Sequence, residues 1–250
     1  MKEFLKKIVA KLGYKISSTK FILTSLEEDE NLLKLNFDLV VAGVLLRKND
    51  PNDFNFIQVG AFDGITCDPL RKYLAKYNWT GVMAEPQPMP FEALQSLYGS
   101  FEKIKLLNAA IGHRDGDMKL YILEGDNLPN WSKGMASFSR NNLVKHAYLI
   151  HDIEKHIKEI TVPIVTFNEI FKIGDIKELD LLQIDTEGFD AKIIRLFPFT
   201  ICKPLIIHFE SKHIEKNELD ALLRELIALD YLVARDGSED MLAVQKNLFA

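Results

Sequence analysis

Gly60, Asp63 and Gly64 close an apolar run, Glu85 ends the next one, and Asp185, His208 and Glu210 end two more. Glycines at a strand end let backbone approach a ligand where any Cβ would collide. An acid about twenty residues later stands at the spacing from which a carboxylate reaches both hydroxyls of a ribose. Asp185, followed by Glu187 and Gly188, can act as a base or an orienter. It can equally cap the helix expected over Glu187 to Leu196, where negative charge favours the N-terminus, and both roles can hold at once. His208 and Glu210 alternate with Phe209, so they share one face of a strand.

The turn itself narrows the ligand. A dinucleotide fingerprint reads G-x-G-x-x-G, and Phe62 stands where its middle glycine would be. No lysine follows Gly64, so the phosphate-cradling G-x-x-x-x-G-K-[ST] loop is absent. Asp63 would repel a pyrophosphate, but it suits a nucleoside with an amino group and a sulfonium, which is S-adenosylmethionine. The plainer reading of the turn is closure of an ordinary βα unit.

These residues need an open α/β sheet to position them. Phe54 to Val59 is short, apolar and aromatic-rich, as a buried parallel strand should be. Asp68-Pro69 supplies an N-cap and a preset first helical residue, with Leu70, Tyr73, Leu74 and Tyr77 at helical spacing. Gly81 to Glu85, ending at Pro86, is a second strand, and Phe91, Leu94, Leu97 and Tyr98 mark a helix. Ile104 to Ile111 reads as a third strand. The small residues around Asn108 and Ala109 either leave room for an adenine ring or simply end it. Asp115-Gly116 turns into Met118 to Leu123, a hairpin partner for that strand. Val162 to Thr166, Asp180 to Asp185 and Leu205 to Glu210 are further strands, with a helix over Leu219 to Ile227 and a closing hairpin at Gly237-Ser238. In such a sheet the carboxyl ends of the strands converge on one crevice, so Asp185 should face Gly60.

Composition agrees with one substantial domain plus additions. The 250 residues are 47% hydrophobic and 27% charged, an ordinary globular mixture. A net charge of -5 argues against nonspecific affinity for nucleic acid. Cys67 and Cys202 offer neither a disulfide framework nor zinc spacing, which implies a reducing, cytoplasmic setting, and Cys67 reads as a small buried hydrophobe. The apolar run Leu39 to Leu46 is far too short to span a membrane. Residues 1–50 read as a helical extension: Leu5, Ile8, Val9 and Leu12 form one face opposite lysines, and Leu26 to Arg47 is a longer helix. That basic helix could dock on its own domain, on a second subunit in a homo-oligomer, or on an anionic surface. Residues 51–250 form the main domain. Its least core-like part, about 124–160, is a candidate lid carrying Trp131 and Phe138. His146, His151 and His156 recur every five residues, too far round a helix to form one metal site, and read as exposed.

Together, Ile57-Gln-Val-Gly-Ala-Phe-Asp-Gly, Ala84-Glu-Pro-Gln-Pro, Asn108-Ala-Ala-Ile-Gly, Met135-Ala-Ser-Phe138 and Leu181-Leu-Gln-Ile-Asp-Thr-Glu-Gly-Phe resemble the FkbM family of S-adenosylmethionine-dependent methyltransferases. The likeness runs over roughly residues 54–210. It implies a class I, Rossmann-like fold with a mostly parallel seven-stranded sheet and an antiparallel edge hairpin. The activity implied is methyl transfer, usually to a hydroxyl, here on a glycan or small-molecule acceptor. By position, the turn residues Gly60, Ala61, Asp63 and Gly64, closed by Thr66, would hold the methionine end of the cofactor. Glu85, followed by Pro86, would hold the ribose, with Asn108 and Ala109 beside the adenine. Asp185 would sit next to the transferred methyl, with His208 an alternative proton acceptor and Glu210 orienting it. Phe62 and Gln183 depart from the family, which often has Asn and Lys there. Asp185, His208 and Glu210 could hold a divalent ion only if the fold gathers them, and no metal ligand set is assigned. The rival readings are a nicotinamide-dependent oxidoreductase and a binding module without turnover.

Overall fold

A computed structural model describes residues 32–249, apart from 126, 127, 130, 131, 133 and 134. The expected helix over Leu5 to Leu12 and the expected stacking residue Trp131 lie outside the described residues.

The centre of the molecule is set by three strands with mostly apolar side chains. These are β2 (Asn55–Val59), β9 (Leu181–Ile184) and β10 (Ile206–Glu210). Phe56, Ile57, Leu181, Leu182, Ile184, Ile206, Ile207 and Phe209 are all wholly buried, as strands covered on both faces must be. They pair in parallel, β2 with β9 and β9 with β10. The sheet extends from β2 through β3 (Thr80–Ala84) to β4 (Ile104–Leu107), also parallel. On the other side β12 (Asp240–Gln245) runs antiparallel to β10 and to β11 (Tyr231–Asp236).

The sheet has eight strands rather than the seven expected, because β1 (Leu33–Lys34) adds in parallel beside β11. β1 lies inside the stretch expected as the helix Leu26 to Arg47. The helix itself is shorter, Phe37–Leu45, since Asn36 caps it by accepting a hydrogen bond from the Leu39 amide at 3.2 Å. Phe37, Val40, Val41 and Val44 of this helix share a core with Phe54, Trp79, Leu94 and Tyr98 on one face of the sheet. The other face is covered by the helices Phe167–Gly174, Asp190–Leu196 and Lys216–Ala228. At the foot of β2 the Trp79 ring stacks on Phe54 at 4.0 Å, and its Nε1 donates to the Pro51 carbonyl.

A second sheet stands over the carboxyl ends of the first. It contains β5 (Ala110–Ile111), β8 (Ile157–Val165), β6 (Gly116–Leu123) and β7 (Ala136–Ser137), in that order. The expected hairpin between Ile104–Ile111 and Met118–Leu123 does not form. The chain turns at Asn108, so its last residues leave the main sheet as β5, and β6 pairs antiparallel with β8 instead. The helix expected over Asn141 to Lys158 is also corrected. Short helices at Arg140–Val144 and Ile153–His156 flank a tight turn, and from Ile157 the chain is strand. Leu123, Leu128, Met135, Leu143, Ile150 and Ile153 give this part its own small core. Among the described residues no helix is long and apolar enough to cross a membrane.

Candidate active site

The ends of β2, β3, β9 and β10 open into a cleft of about 650 Å³ beneath the second sheet. That is the size of small-molecule and cofactor sites. Gly60 fixes its narrowest point. At φ +79° a Cβ on Gly60 would lie 1.7 Å from the Asp185 carbonyl oxygen, so only glycine lets the two strand ends come together. The Asp185 amide donates to the Val59 carbonyl at 2.9 Å, and the Gly60 amide to the Ala84 carbonyl at 2.9 Å. Asp185 therefore faces Gly60, as strand convergence requires.

Glu85 is 3% exposed and lines the cleft. Its Oε2 accepts the Phe62 amide at 2.9 Å and its Oε1 the Gln87 amide at 2.8 Å. Phe62 adopts φ +47° in the turn, from which its amide points back at this carboxylate. Burial raises the Glu85 pKa to about 7 against the pull of these hydrogen bonds. Asn108 donates from Nδ2 to the carbonyls of Glu85 and Pro86, so it braces the loop that carries them. Thr66, Pro86 and Ala109 line the cleft.

Four residues expected to hold the cofactor do not line it: Asn108, which braces the loop behind, and three residues of the turn. Ala61 is buried in the core, and Gly64 packs against the Tyr98 ring. Asp63 ties the turn to itself. Its Oδ1 accepts the amides of Ile65 and Thr66, and its Oδ2 the Thr66 hydroxyl. Burial alone would raise its pKa, but these bonds outweigh it and hold the carboxyl below its usual value. The helix expected from Asp68 is a single turn, Arg71–Leu74, and Asp68 bonds the Leu70 amide and the Gln58 side chain. Cys67, expected to be buried, is exposed at the cleft because its φ of +54° turns it outward from that loop.

The far end of the cleft is acidic. Asp185, Glu187 and Glu210 line it, with Asp190 wholly buried behind. The packed walls around Asp185, then the charges of Asp190, Glu187, Asp240 and Glu85, raise its pKa to about 8. The side chain is exposed to the cleft, so water there screens part of this effect. Burial, then Asp185, Glu187, Asp190 and Asp240, raises Glu210 to about 9. Asp185 does not cap the following helix, which starts only at Asp190. Asp190 Oδ2 accepts the Thr186 hydroxyl and the Gly188 amide, closing the turn that carries Glu187.

His208 does not reach this crevice. Its ring packs on Phe37 with centroids 4.6 Å apart, and Nδ1 meets Gln183 Oε1 at 2.7 Å. Nε2 lies 3.3 Å from Asp236 without hydrogen-bond alignment. Glu210 therefore orients no histidine in the strand. The histidine that does line the cleft is His213, whose Nε2 lies 3.4 Å from Glu187 and 3.9 Å from Glu210. The sequence carried one sign of it, the Glu-x-x-His spacing of Glu210 and His213. His151 is exposed as expected, while His156 is half-buried against Gly125.

Above this end, the second-sheet segment contributes Phe138, packed edge-to-face on Phe189 with centroids 5.2 Å apart. Tyr148 and Leu149 also line the cleft, though they are 79% and 53% exposed.

Residues 58–233 match the family model described as the methyltransferase FkbM domain. Among solved structures, the chain is similar to a methyltransferase FkbM from Methylobacillus flagellatus KT, with a TM-score of 0.47 and 13% identity over 77% of this chain. The chain spans 44% of the length of that structure. It is also similar to an S-adenosylmethionine-dependent O-methyltransferase from Thermotoga maritima, with a TM-score of 0.41 and 9% identity over 85% of this chain and 66% of that one. The METTL16 methyltransferase domain gives 0.46 and 10% over 96% and 77%. No curated protein matches.

Proposed function

We propose, since the chain belongs to the FkbM methyltransferase family, that it transfers a methyl group from S-adenosylmethionine to a hydroxyl on a glycan or small-molecule acceptor. The observation that carries this reading is Glu85, a buried carboxylate held by two backbone amides at the wall of a cleft of about 650 Å³, beside a glycine that admits no Cβ. Each carboxylate oxygen keeps a lone pair, so Glu85 can accept both hydroxyls of a ribose while its own position stays fixed. The residues present thus fit the cofactor. Gly60 offers bare backbone to its amino-acid end, and Pro86 and Ala109 leave room for the base, with Asn108 bracing that wall. Bound there, S-adenosylmethionine supplies an electrophilic methyl on a sulfonium.

The chain's own contribution is alignment first. Fixing an acceptor in line can contribute about 7–11 kcal/mol to lowering the barrier. Asp185, at the end of β9 and facing the same cleft, takes the proton that the acceptor hydroxyl gives up, which adds typically about 10²- to 10⁴-fold. Phe138, Tyr148 and Leu149 offer the acceptor a largely apolar face. Calorimetry with S-adenosylmethionine and with its demethylated product tests the first step. A folded sample that binds neither sinks the reading. A screen with labelled methyl donor over glycans and small hydroxyl compounds then identifies the acceptor.

A further inference from the structure

We propose that Glu187, Glu210 and His213 form a site for one divalent first-row metal ion at the acceptor end of the cleft. One ligand atom from each lies within 4.8 Å of the others. The His213 Nε2 distances to the two carboxylates are 3.4 Å and 3.9 Å. Ligands about 2.1 Å from a shared ion stand roughly 3.0–3.4 Å apart, so closure needs shifts of an ångström or so in side chains facing an open cleft. The three arrive from separate places: the turn after β9, the last residue of β10, and the loop that follows it. All three line the cleft.

Two further observations call for a cation here. Glu210 Oε2 is covered from solvent and has no hydrogen-bond partner among the described residues, and its side chain is 13% exposed. A covered carboxylate oxygen with no donor is costly unless a cation completes it. The charge balance of the cleft points the same way. Glu85, Asp185, Glu187 and Glu210 line it; among the described residues the lysine on its wall, Lys212, is paired with Glu239 at 2.7 Å, and Lys145 borders the adjoining pocket beside Glu187 and His213. S-adenosylmethionine brings one net positive charge against these four carboxyl groups.

Two carboxylate oxygens and one imidazole nitrogen suit manganese(II), iron(II) or zinc(II) better than the all-oxygen shells of magnesium and calcium. Three protein ligands leave coordination positions open toward the cavity that Asp185 also faces. Resting on the function proposed above, an acceptor oxygen would enter that open position and be held in line by the ion.

The test is direct binding to the 250-residue chain without cofactor. Chelator-treated protein is titrated with manganese(II) chloride, read by calorimetry and by loss of the free-ion paramagnetic resonance signal. One saturable site is expected. Glu210→Gln and His213→Ala should each weaken it by about tenfold or more while keeping the parent's melting midpoint. If His213→Ala does not fold, Glu187→Gln serves in its place. Absence of saturable binding of manganese(II) and of zinc(II), or binding unmoved by the variants, overturns the site. Separate titration with S-adenosylmethionine keeps the two readings apart, since metal binding without cofactor binding would sink the methyltransferase reading alone.

Discussion

The two walls of the cleft are built in opposite ways. The wall formed by β2 and β3 is a matter of main chain: Gly60 against the Asp185 carbonyl, and Glu85 clamped by the amides of Phe62 and Gln87. It grows out of strands buried on both faces. The wall under the second sheet is a matter of side chains on short elements, among them helices of four and five residues, over two small cores of six and four buried residues among those described. Tyr148 and Leu149 stand largely in solvent there. Elements with few buried contacts open at low free-energy cost. The difference suits the proposed function, in which the methyl donor always presents the same groups to the first wall and the acceptor meets the second. Substitutions should therefore act steeply on the first wall and gradually on the second.

The largest effect should come from a single methyl group. In Gly60→Ala the new Cβ meets the Asp185 backbone at 1.7 Å, at a φ that L-residues rarely adopt, and neither strand end can yield. We expect a loss of several kcal/mol in urea unfolding, or a folded protein that no longer binds cofactor. The matching change on the other wall is Gly125→Ala, whose Cβ would meet the His156 ring at 2.5 Å. A partly exposed ring can swing aside, so both readouts should stay near those of the parent. Equal losses in the two variants would break the contrast.

Next in size is Asp185→Asn, which preserves shape and removes basicity. Turnover should fall by about 10²-fold or more with cofactor affinity hardly changed. Turnover that survives would show that Asp185 is not the proton acceptor. A parallel collapse of cofactor affinity would move Asp185 to the cofactor wall.

Glu85→Ala removes the clamped carboxylate, and hydrogen bonds to a charged group contribute roughly 1.5–3 kcal/mol, so affinity should fall about ten- to a hundredfold. The parent should also carry a pH signature. Glu85 is raised from 4.5 to about 7 by burial, so cofactor affinity should weaken as pH falls through about 7 and the acceptor is protonated. For the cofactor-free protein the sign is reversed. A carboxyl with a raised folded pKa binds its proton more tightly when folded. Its contribution to stability is fully present below about 4.5 and is lost as pH rises through about 7. Calorimetry and urea unfolding from about pH 5 to 8 check both slopes, and both should be shallower in Glu85→Ala, with the part contributed by Asp185 and Glu210 remaining.

The same division decides what could be read in the sequence. Four strands of the main sheet are mostly apolar runs that lead into a residue of the cleft, so Gly60, Glu85, Asp185 and Glu210 stand out along the chain. The second sheet is legible only in part: Met118 to Leu123 and Val162 to Thr166 read as strands, but their pairing with each other does not. β8 reads Ile-Lys-Glu-Ile-Thr-Val-Pro-Ile-Val, and its identity as strand depends on β6, whose Leu120 pairs with Ile160 forty residues away. His208 was correctly placed on a strand. The face it turns to is set by Phe37 and Gln183, which no local period reveals. His213 sits in a loop, where periodicity carries no signal. The chemistry of Asp63 suits a ligand, and the structure uses both of its oxygens to hold Ile65 and Thr66 in the turn.

The smallest effect should separate acceptor from cofactor on the side-chain wall. Phe138, just after β7, joins the second sheet to the turn bearing Phe189, with rings 5.2 Å apart and inclined at 75°. Such a pair is worth about 0.5–1.5 kcal/mol beyond its buried area. Phe138→Ala should therefore raise the KM for acceptor by roughly two- to tenfold, leaving kcat and cofactor affinity close to the parent's. The partial exposure of Phe138 limits the cost to folding, so the melting midpoint should drop only slightly. If the midpoint falls and KM does not move, Phe138 is only packing between the two layers. If cofactor affinity falls as far as acceptor affinity, the walls are coupled through Phe189, and the separation drawn between them does not hold.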